Sequence, residues 1–224
     1  MPEWWTYSLE DFLLFSPRTY RRMVELHNAA VWPLQVAAWL AGAAILAWTL
    51  RPRPWSGRAV AILAALAWAW VAWSFLWHRY ATINWAAAYA VPAFGAQAAL
   101  LAWVGGVRGR LRFTAAGLPG AVGLVLFLHA LVLHPLLPFL AGRAPGSAEL
   151  FGIAPDPTAI ATLGLAAMAG GGARAWLLLA VPAAWCLVSA ATLHAMAAPE
   201  AWIPLAAAGL AAAALLIPRG GTTA

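Results

Sequence analysis

Lysine is missing from all 224 residues, so the thirteen basic side chains are every one Arg. A retinal protein needs a lysine amine for its Schiff base, and that class of many-helix chain is excluded. The one cysteine, Cys186, stands inside an apolar run. It leaves no internal disulfide and no multi-cysteine zinc or iron–sulfur motif. Charge is scarce in general. Only 9% of residues are charged and 64% are hydrophobic, against roughly 25% and 45–50% in soluble domains. A water-soluble fold of this composition would have no polar surface to present, so the sequence predicts lipid as the solvent for most of the chain. No stretch is long or polar enough to form a separate soluble domain. The opening ten residues are acidic and Trp-rich, with no Arg ahead of an apolar run, which does not read as a cleavable signal peptide.

What is present is a series of seven apolar runs, at 29–50, 59–78, 84–104, 117–140, 157–171, 175–197 and 200–217. Most approach the roughly 20 residues that cross ~30 Å of hydrocarbon. The expected fold is an all-α membrane bundle of seven helices. Residues 1–28 form an amphipathic interfacial segment before it, and 218–224 form a tail. Within that segment Ser8 to Asp11 reads as a helix start, Trp4 and Trp5 as interfacial anchors, and Ser16-Pro17 as a cap followed by Pro at the first helical position. The fifth run is the exception: 15 residues at 1.5 Å each give roughly 22 Å, too short to cross unaided. Orientation follows from charge. Arg51, Arg53, Arg58, Arg108, Arg110, Arg112, Arg174 and Arg219 fall on one side with no acid; Arg18, Arg21, Arg22, Arg79 and Arg143 share the other with all seven acids. That asymmetry predicts the N-terminus outside and the C-terminus in the cytoplasm. Arg confined to short loops is a topology signal rather than a phosphate-binding face, so nucleic acid is excluded as a partner.

Ionisable groups within the spans are the pointers to function, because lipid is a costly place to keep them. The topology gathers His27, His78, His134 and His194 near the outer face, on the side that holds the acids, and puts His129 near mid-membrane. His129 and His134 lie five apart, which on a regular α-helix turns them about 140° from each other. The late start of the fifth run, with Asp156 as cap and Thr158 and Thr162 on one face, predicts a helix N-terminus aimed into a protein-lined cavity. Glu25, His27 and Asn84 complete the polar groups expected around an outward pocket. Two cofactors are conceivable on these residues, a metal ion held by His78, His134 and His194 and a haem held by two His. No HExxH-like spacing specifies the first, and His129 has no partner at its depth for the second. Most of the fifteen Trp read as aromatic belts: Trp32, Trp73, Trp77, Trp85 and Trp202 at the outer interface, Trp48, Trp55, Trp103 and Trp176 at the inner one. A cation-binding cage at Trp70, Trp73 and Trp77, beside His78, is the functional alternative. Gly117, Gly120 and Gly123 at three-residue spacing predict a close helix approach.

The segments Trp5-Thr6-Tyr7, Glu10-Asp11-Phe12-Leu13 and Phe15-Ser16-Pro17-Arg18-Thr19-Tyr20 resemble the opening of a bacterial family of multi-helix membrane proteins of unknown function. Glu25, Asn28, Trp32-Pro33, Gln35, Asn84-Trp85-Ala86-Ala87, Phe151-Gly152, Pro155, Pro157-Thr158 and Thr162-Leu163-Gly164-Leu165 continue the likeness over nearly the whole chain. It implies a bacterial inner-membrane protein, and members are sometimes labelled transporter permease. The resemblance adds no mechanism; the outer polar cluster, the proline-kinked spans and mid-membrane His129 make the expected function a small transporter or channel whose outward pocket takes an ion or small polar solute. The alternatives are an accessory or cofactor-binding subunit of a larger membrane complex, and a metal-assisted membrane-embedded hydrolase; an enzymatic role is the less favoured. The partners expected are the bilayer, a second copy of the chain or a larger membrane complex.

Overall fold

A computed structural model describes residues 14–217, which are all-α with no strand among them. The helix start expected at Ser8 to Asp11, the Trp4–Trp5 pair and the tail from 218 lie outside the described residues. The first described helix, α1 (Pro17–Ala30), opens with Ser16 accepting the Thr19 N–H at 3.1 Å and Pro17 at the first helical position. A bend of 90° separates it from α2 (Leu34–Leu50), where Pro33 has no N–H with which to continue the helical ladder. Next come α3 (Ser56–Trp70), α4 (Ala90–Leu100), α5 (Gly117–Leu128) and the single turn α6 (Leu137–Leu140). The last three are α7 (Pro155–Met168), α8 (Ala173–Ala195) and α9 (Trp202–Leu216). Three of these helices widen into π-helical turns at their C-terminal ends, at Val71–Trp77, Leu101–Val107 and His129–Leu133.

All seven apolar runs contain helix, but they are not equivalent. Ser56–Thr82, Trp85–Val107, Gly117–Leu140 and Ala173–Ala195 are each long and apolar enough to cross a membrane, and α1 with α2 makes a bent fifth candidate. Of the seven helices expected in the membrane bundle, four or five are thus long enough to cross. At roughly 1.5 Å per residue α7 reaches about 21 Å and α9 about 22 Å, short of the ~30 Å hydrocarbon core. For α7 this shortness follows the sequence. For α9 it does not. Glu200 and Ala201 stay in the preceding turn, and Ile217 takes an extended backbone (ψ 120°), the conformation favoured by a residue that precedes a proline, here Pro218.

The short α7 is the hub of the molecule. Every residue from Pro155 to Met168 is buried, against α5, α8, α9 and α3. Small residues permit this. A Cβ added at Gly164 would sit 2.5 Å from the Gly123 carbonyl oxygen, and one at Gly123 would collide with that of Gly164. The backbones of α5 and α7 therefore touch there. Of the three glycines expected to serve this purpose only Gly123 does. Gly117 supplies a positive φ of 69° ahead of the helix and Gly120 backs onto the Ala115 backbone. Polar groups on α7 are used internally. Thr158 Oγ1 accepts from Gly152 N–H at 2.8 Å and donates to the Ala154 carbonyl at 2.7 Å. Thr162 Oγ1 accepts from Trp68 Nε1 at 2.8 Å and donates to the Thr158 carbonyl.

The outer surface is the reverse of this core. Leu40, Leu66, Val125, Leu133, Leu187, Val188 and Leu216 point outward, as do eight of the nine tryptophans assigned to belts; Trp48 alone is half-buried, against Trp55. So much exposed apolar surface, with several long apolar helices, is compatible with a membrane protein.

Candidate functional site

A cavity of about 440 Å³ opens between α1, the end of the α5–α6 segment, the 141–149 loop, the N-terminus of α7, the end of α8 and the start of α9. Its chemistry comes from side chains delivered by five different elements. Asp156, second residue of α7, is buried, and its carboxylate accepts from Trp185 Nε1 at 2.7 Å and Ser189 Oγ at 2.5 Å. Both donors stand on α8 at i, i+4 spacing and so share a face. An acid in the first helical turn also meets the positive end of the α7 dipole. Asp156 is not the cap the sequence suggested. Ala154 occupies that position, which frees the carboxylate for α8.

Glu149 supplies the second acid. Tyr20 Oη of α1 donates to its Oε1 at 3.0 Å, and His134 Nε2 lies 3.9 Å from its Oε2. Burial first, with the Glu149 and Asp156 carboxylates adding, holds the Tyr20 phenol well above its ordinary pKa, so it stays a donor. The loop carrying Glu149 is fixed against α1 by Asn28, whose Nδ2 donates to the Gly146 and Ala148 carbonyls at 2.8 Å each. At the rim an Arg143–Glu200 ion pair ties the loop after α6 to the approach to α9.

His134 does not stand alone. Its ring meets that of His129 edge-on, with centroids 5.6 Å apart, although five residues on an α-helix should diverge. The segment between them is a π-helical turn, and His134 N–H donates to the His129 carbonyl. Closing the ring over five residues stacks positions that α-geometry separates. The buried His134 Nδ1 and His129 Nε2 have no hydrogen-bond partner among the described residues.

The other expected site residues are elsewhere. Thr158 and Thr162 face the protein interior and serve the fold. Glu25 pairs with Arg22 at 2.9 Å on the outside of α1. Asn84 caps the turn Trp85–Tyr89 by accepting from Ala86 N–H. His27 is buried edge-on to Phe75 at 5.2 Å. His194 is exposed, and His78 is exposed against Trp73 at 4.4 Å in a separate groove. His78, His134 and His194 therefore do not converge as metal ligands, because their positions turn them to three different surroundings. Among the described residues no group of three or more His, Cys, Asp and Glu is placed to hold a metal ion. A haem bracketed by His129 and His134 is not supported either, since both rings project from one helix. Nor do Trp70, Trp73 and Trp77 form a cage: Trp70 Nε1 is buried while Trp73 and Trp77 point outward. Tyr20, Arg143, Glu149, Trp185, Ser189 and Glu200 escaped the sequence reading. The signal available for two of them was a polar tip repeated four residues apart, Trp185 and Ser189, in an otherwise apolar run.

An all-α chain with several helices apolar enough to span, built around an acid-bearing short helix, defines the class. Residues 18–223 match the model of a family of unknown function, DUF6064, and the chain belongs to that family. No curated protein and no solved structure matches the chain.

Proposed function

We propose that the protein is a polytopic carrier or channel of the bacterial inner membrane that admits a small cation through the Asp156–Glu149 cavity. In this reading all seven apolar segments lie within the bilayer, α7 shielded from lipid by its neighbours, α1 on the outer interface and the C-terminus in the cytoplasm. The single observation that carries it is the Asp156 carboxylate, held by Trp185 and Ser189 at the N-terminus of a wholly buried helix and facing a cavity. A carboxylate inside an apolar bundle is costly to keep unless it has a ligand or a role. Charge sets the sign of the ligand. Among the described residues that line the cavity, Asp156, Glu149 and Glu200 face Arg21, Arg143 and the imidazole of His134, and Arg143 is already paired with Glu200. The excess is negative, which favours a cation. The α7 N-terminus offsets part of that charge, so release remains within reach.

The test is solid-supported-membrane electrophysiology on proteoliposomes, with Na⁺, K⁺, ammonium, guanidinium and choline as probes. A transient current with at least one of these is expected, abolished in Asp156→Asn and reduced at least tenfold in Glu149→Gln. Wild-type vesicles that pass none of the five would overturn the reading.

A further inference from the structure

Two of the three N-terminal arginines, which stand on the acid-bearing side of the chain, share a place in the structure. On the face of α1 turned away from the acidic cavity, Arg18 and Arg22 line a second groove of about 420 Å³ together with His78 and Arg79, from the end of the α3 segment. Thr19 and Thr82 also line its wall, their hydroxyls engaged with Ser16 Oγ and the Arg79 carbonyl. Glu25, the one acid near it among the described residues, is engaged by Arg22 and leaves an excess of two guanidinium groups. Guanidinium groups converging in a concavity are the chemistry of phosphate recognition. The groove is not a purely polar one. Met23, Leu26 and Ile83 also line it, and Leu26, Trp73 and Trp77 are exposed in the same part of the molecule.

We infer that this groove binds a phosphate ester, and that its amphipathic make-up selects the headgroup of an anionic phospholipid rather than free phosphate. The inference rests on the membrane reading above, though not on transport. With α2 upright in the bilayer, the 90° bend lays α1 along the outer surface, where headgroup phosphates sit. The arginines then meet phosphate while Leu26 and Ile83 meet the first methylenes of the acyl chains. Arg18, Arg22 and Arg79 on the outer side cease to be an anomaly of orientation: bound phosphate neutralises them, while Arg21 faces the acidic cavity.

The experiment uses the full chain, purified in detergent and delipidated. Its thermal midpoint and native mass spectrum are recorded with phosphatidylglycerol, with phosphatidylcholine and with inorganic phosphate. Phosphatidylglycerol is expected to raise the midpoint by several degrees and to remain bound in the gas phase. Phosphatidylcholine and 10 mM phosphate should do much less. An Arg18→Gln/Arg79→Gln double variant should lose at least tenfold in lipid affinity, while its lipid-free midpoint matches the wild type and shows it folded. Should that variant fold poorly, Arg18→Lys/Arg79→Lys keeps the charge and should retain part of the binding. Equal stabilisation by phosphatidylcholine, or unchanged lipid retention in the glutamine variant, overturns the site. An equal shift with inorganic phosphate overturns the lipid assignment. Carbonate extraction of cell membranes in parallel separates the two levels: a chain released to the supernatant sinks the membrane reading, whatever the lipid result.

Discussion

The two faces of α1 hold opposite chemistry one helix-width apart. Pro17, Tyr20, Arg21 and Val24 turn toward the cavity that contains Glu149 and Asp156, whereas Arg18, Thr19, Arg22, Met23 and Leu26 turn toward the cationic groove. On the acid side Asp156 is buried and Glu149 half-buried, and each is held by donors from a distant part of the chain: Tyr20 across 129 residues, Trp185 across 29 and Ser189 across 33. On the basic side the charges are mostly exposed; Arg22 pairs with its helix neighbour Glu25, and Arg79 reaches the groove from the end of the α3 segment. Burial with fixed partners makes a preorganised site whose electrostatics act at low dielectric. Exposed, loosely held cations suit a surface that meets headgroups. The same helix can thus be a wall of a pocket and a contact with the bilayer.

This contrast breaks most completely where α7 is set in place. Gly164→Val puts side-chain atoms into the Gly123 carbonyl, and α7 can yield only by moving, since its whole surface is packed. Overpacking of this kind costs about 1–3 kcal/mol, occasionally more, and here it should also displace Asp156 from Trp185 and Ser189. Loss of most folded protein on size-exclusion chromatography is expected. A folded variant of near wild-type thermal midpoint would show that the contact between α5 and α7 is not tight. Next in size is Asp156→Leu, which strands two buried donors at about 1–3 kcal/mol each. Asp156→Asn retains an acceptor for Trp185 and lets the Ser189 hydroxyl reverse its role, so it should melt within a few degrees of wild type. If Leu proves as stable as Asn, the hydrogen bonds are not what the carboxylate is for. Tyr20→Phe follows. It leaves Glu149 Oε1 without its donor, and a drop of about 1.5–3 kcal/mol, the scale for a hydrogen bond to a charged group, is expected in thermal unfolding.

Much of the architecture was legible beforehand because apolar run length is a direct reading of what lipid or a buried core requires. The runs, the late start of α7, the Ser16–Pro17 helix start and the outward-facing tryptophans follow from composition at single positions. Of the residues expected around one outward pocket, Asp156 and His134 both line the cavity. What could not be read are features decided by helix geometry or by long-range contact. His129 and His134 lie side by side only because the helix widens to a π-turn, a change no local residue announces. Glu149 sits in a loop with an unremarkable sequence and acquires its meaning from Tyr20. Thr158 and Thr162 share a face, as expected, but that face is turned into the protein, where their hydroxyls answer Gly152 and Trp68. His78 and His194 were grouped with His134 by depth along the chain, and depth does not fix azimuth. Each is turned outward by its own helix.

The smallest effects fall on the two ion pairs, and their difference is the sharpest measure of the contrast across α1. Arg143–Glu200 is half-buried at the cavity rim and joins segments 57 residues apart; Arg22–Glu25 stands on one exposed helix face at i, i+3. An exposed helical pair contributes about 0.2–0.5 kcal/mol and fades with salt. Burial lowers the local dielectric and strengthens the rim pair, while desolvation takes part of that gain back. The coupling energy from a double-mutant cycle of Arg143→Gln with Glu200→Gln should therefore be near 1 kcal/mol and persist in 0.5 M NaCl. The cycle of Arg22→Gln with Glu25→Gln should fall below ~0.5 kcal/mol and vanish there. Equal couplings, or a rim pair erased by salt, would mean that water reaches the cavity mouth as freely as it reaches the groove. The two faces of α1 would then differ in sign of charge but not in dielectric.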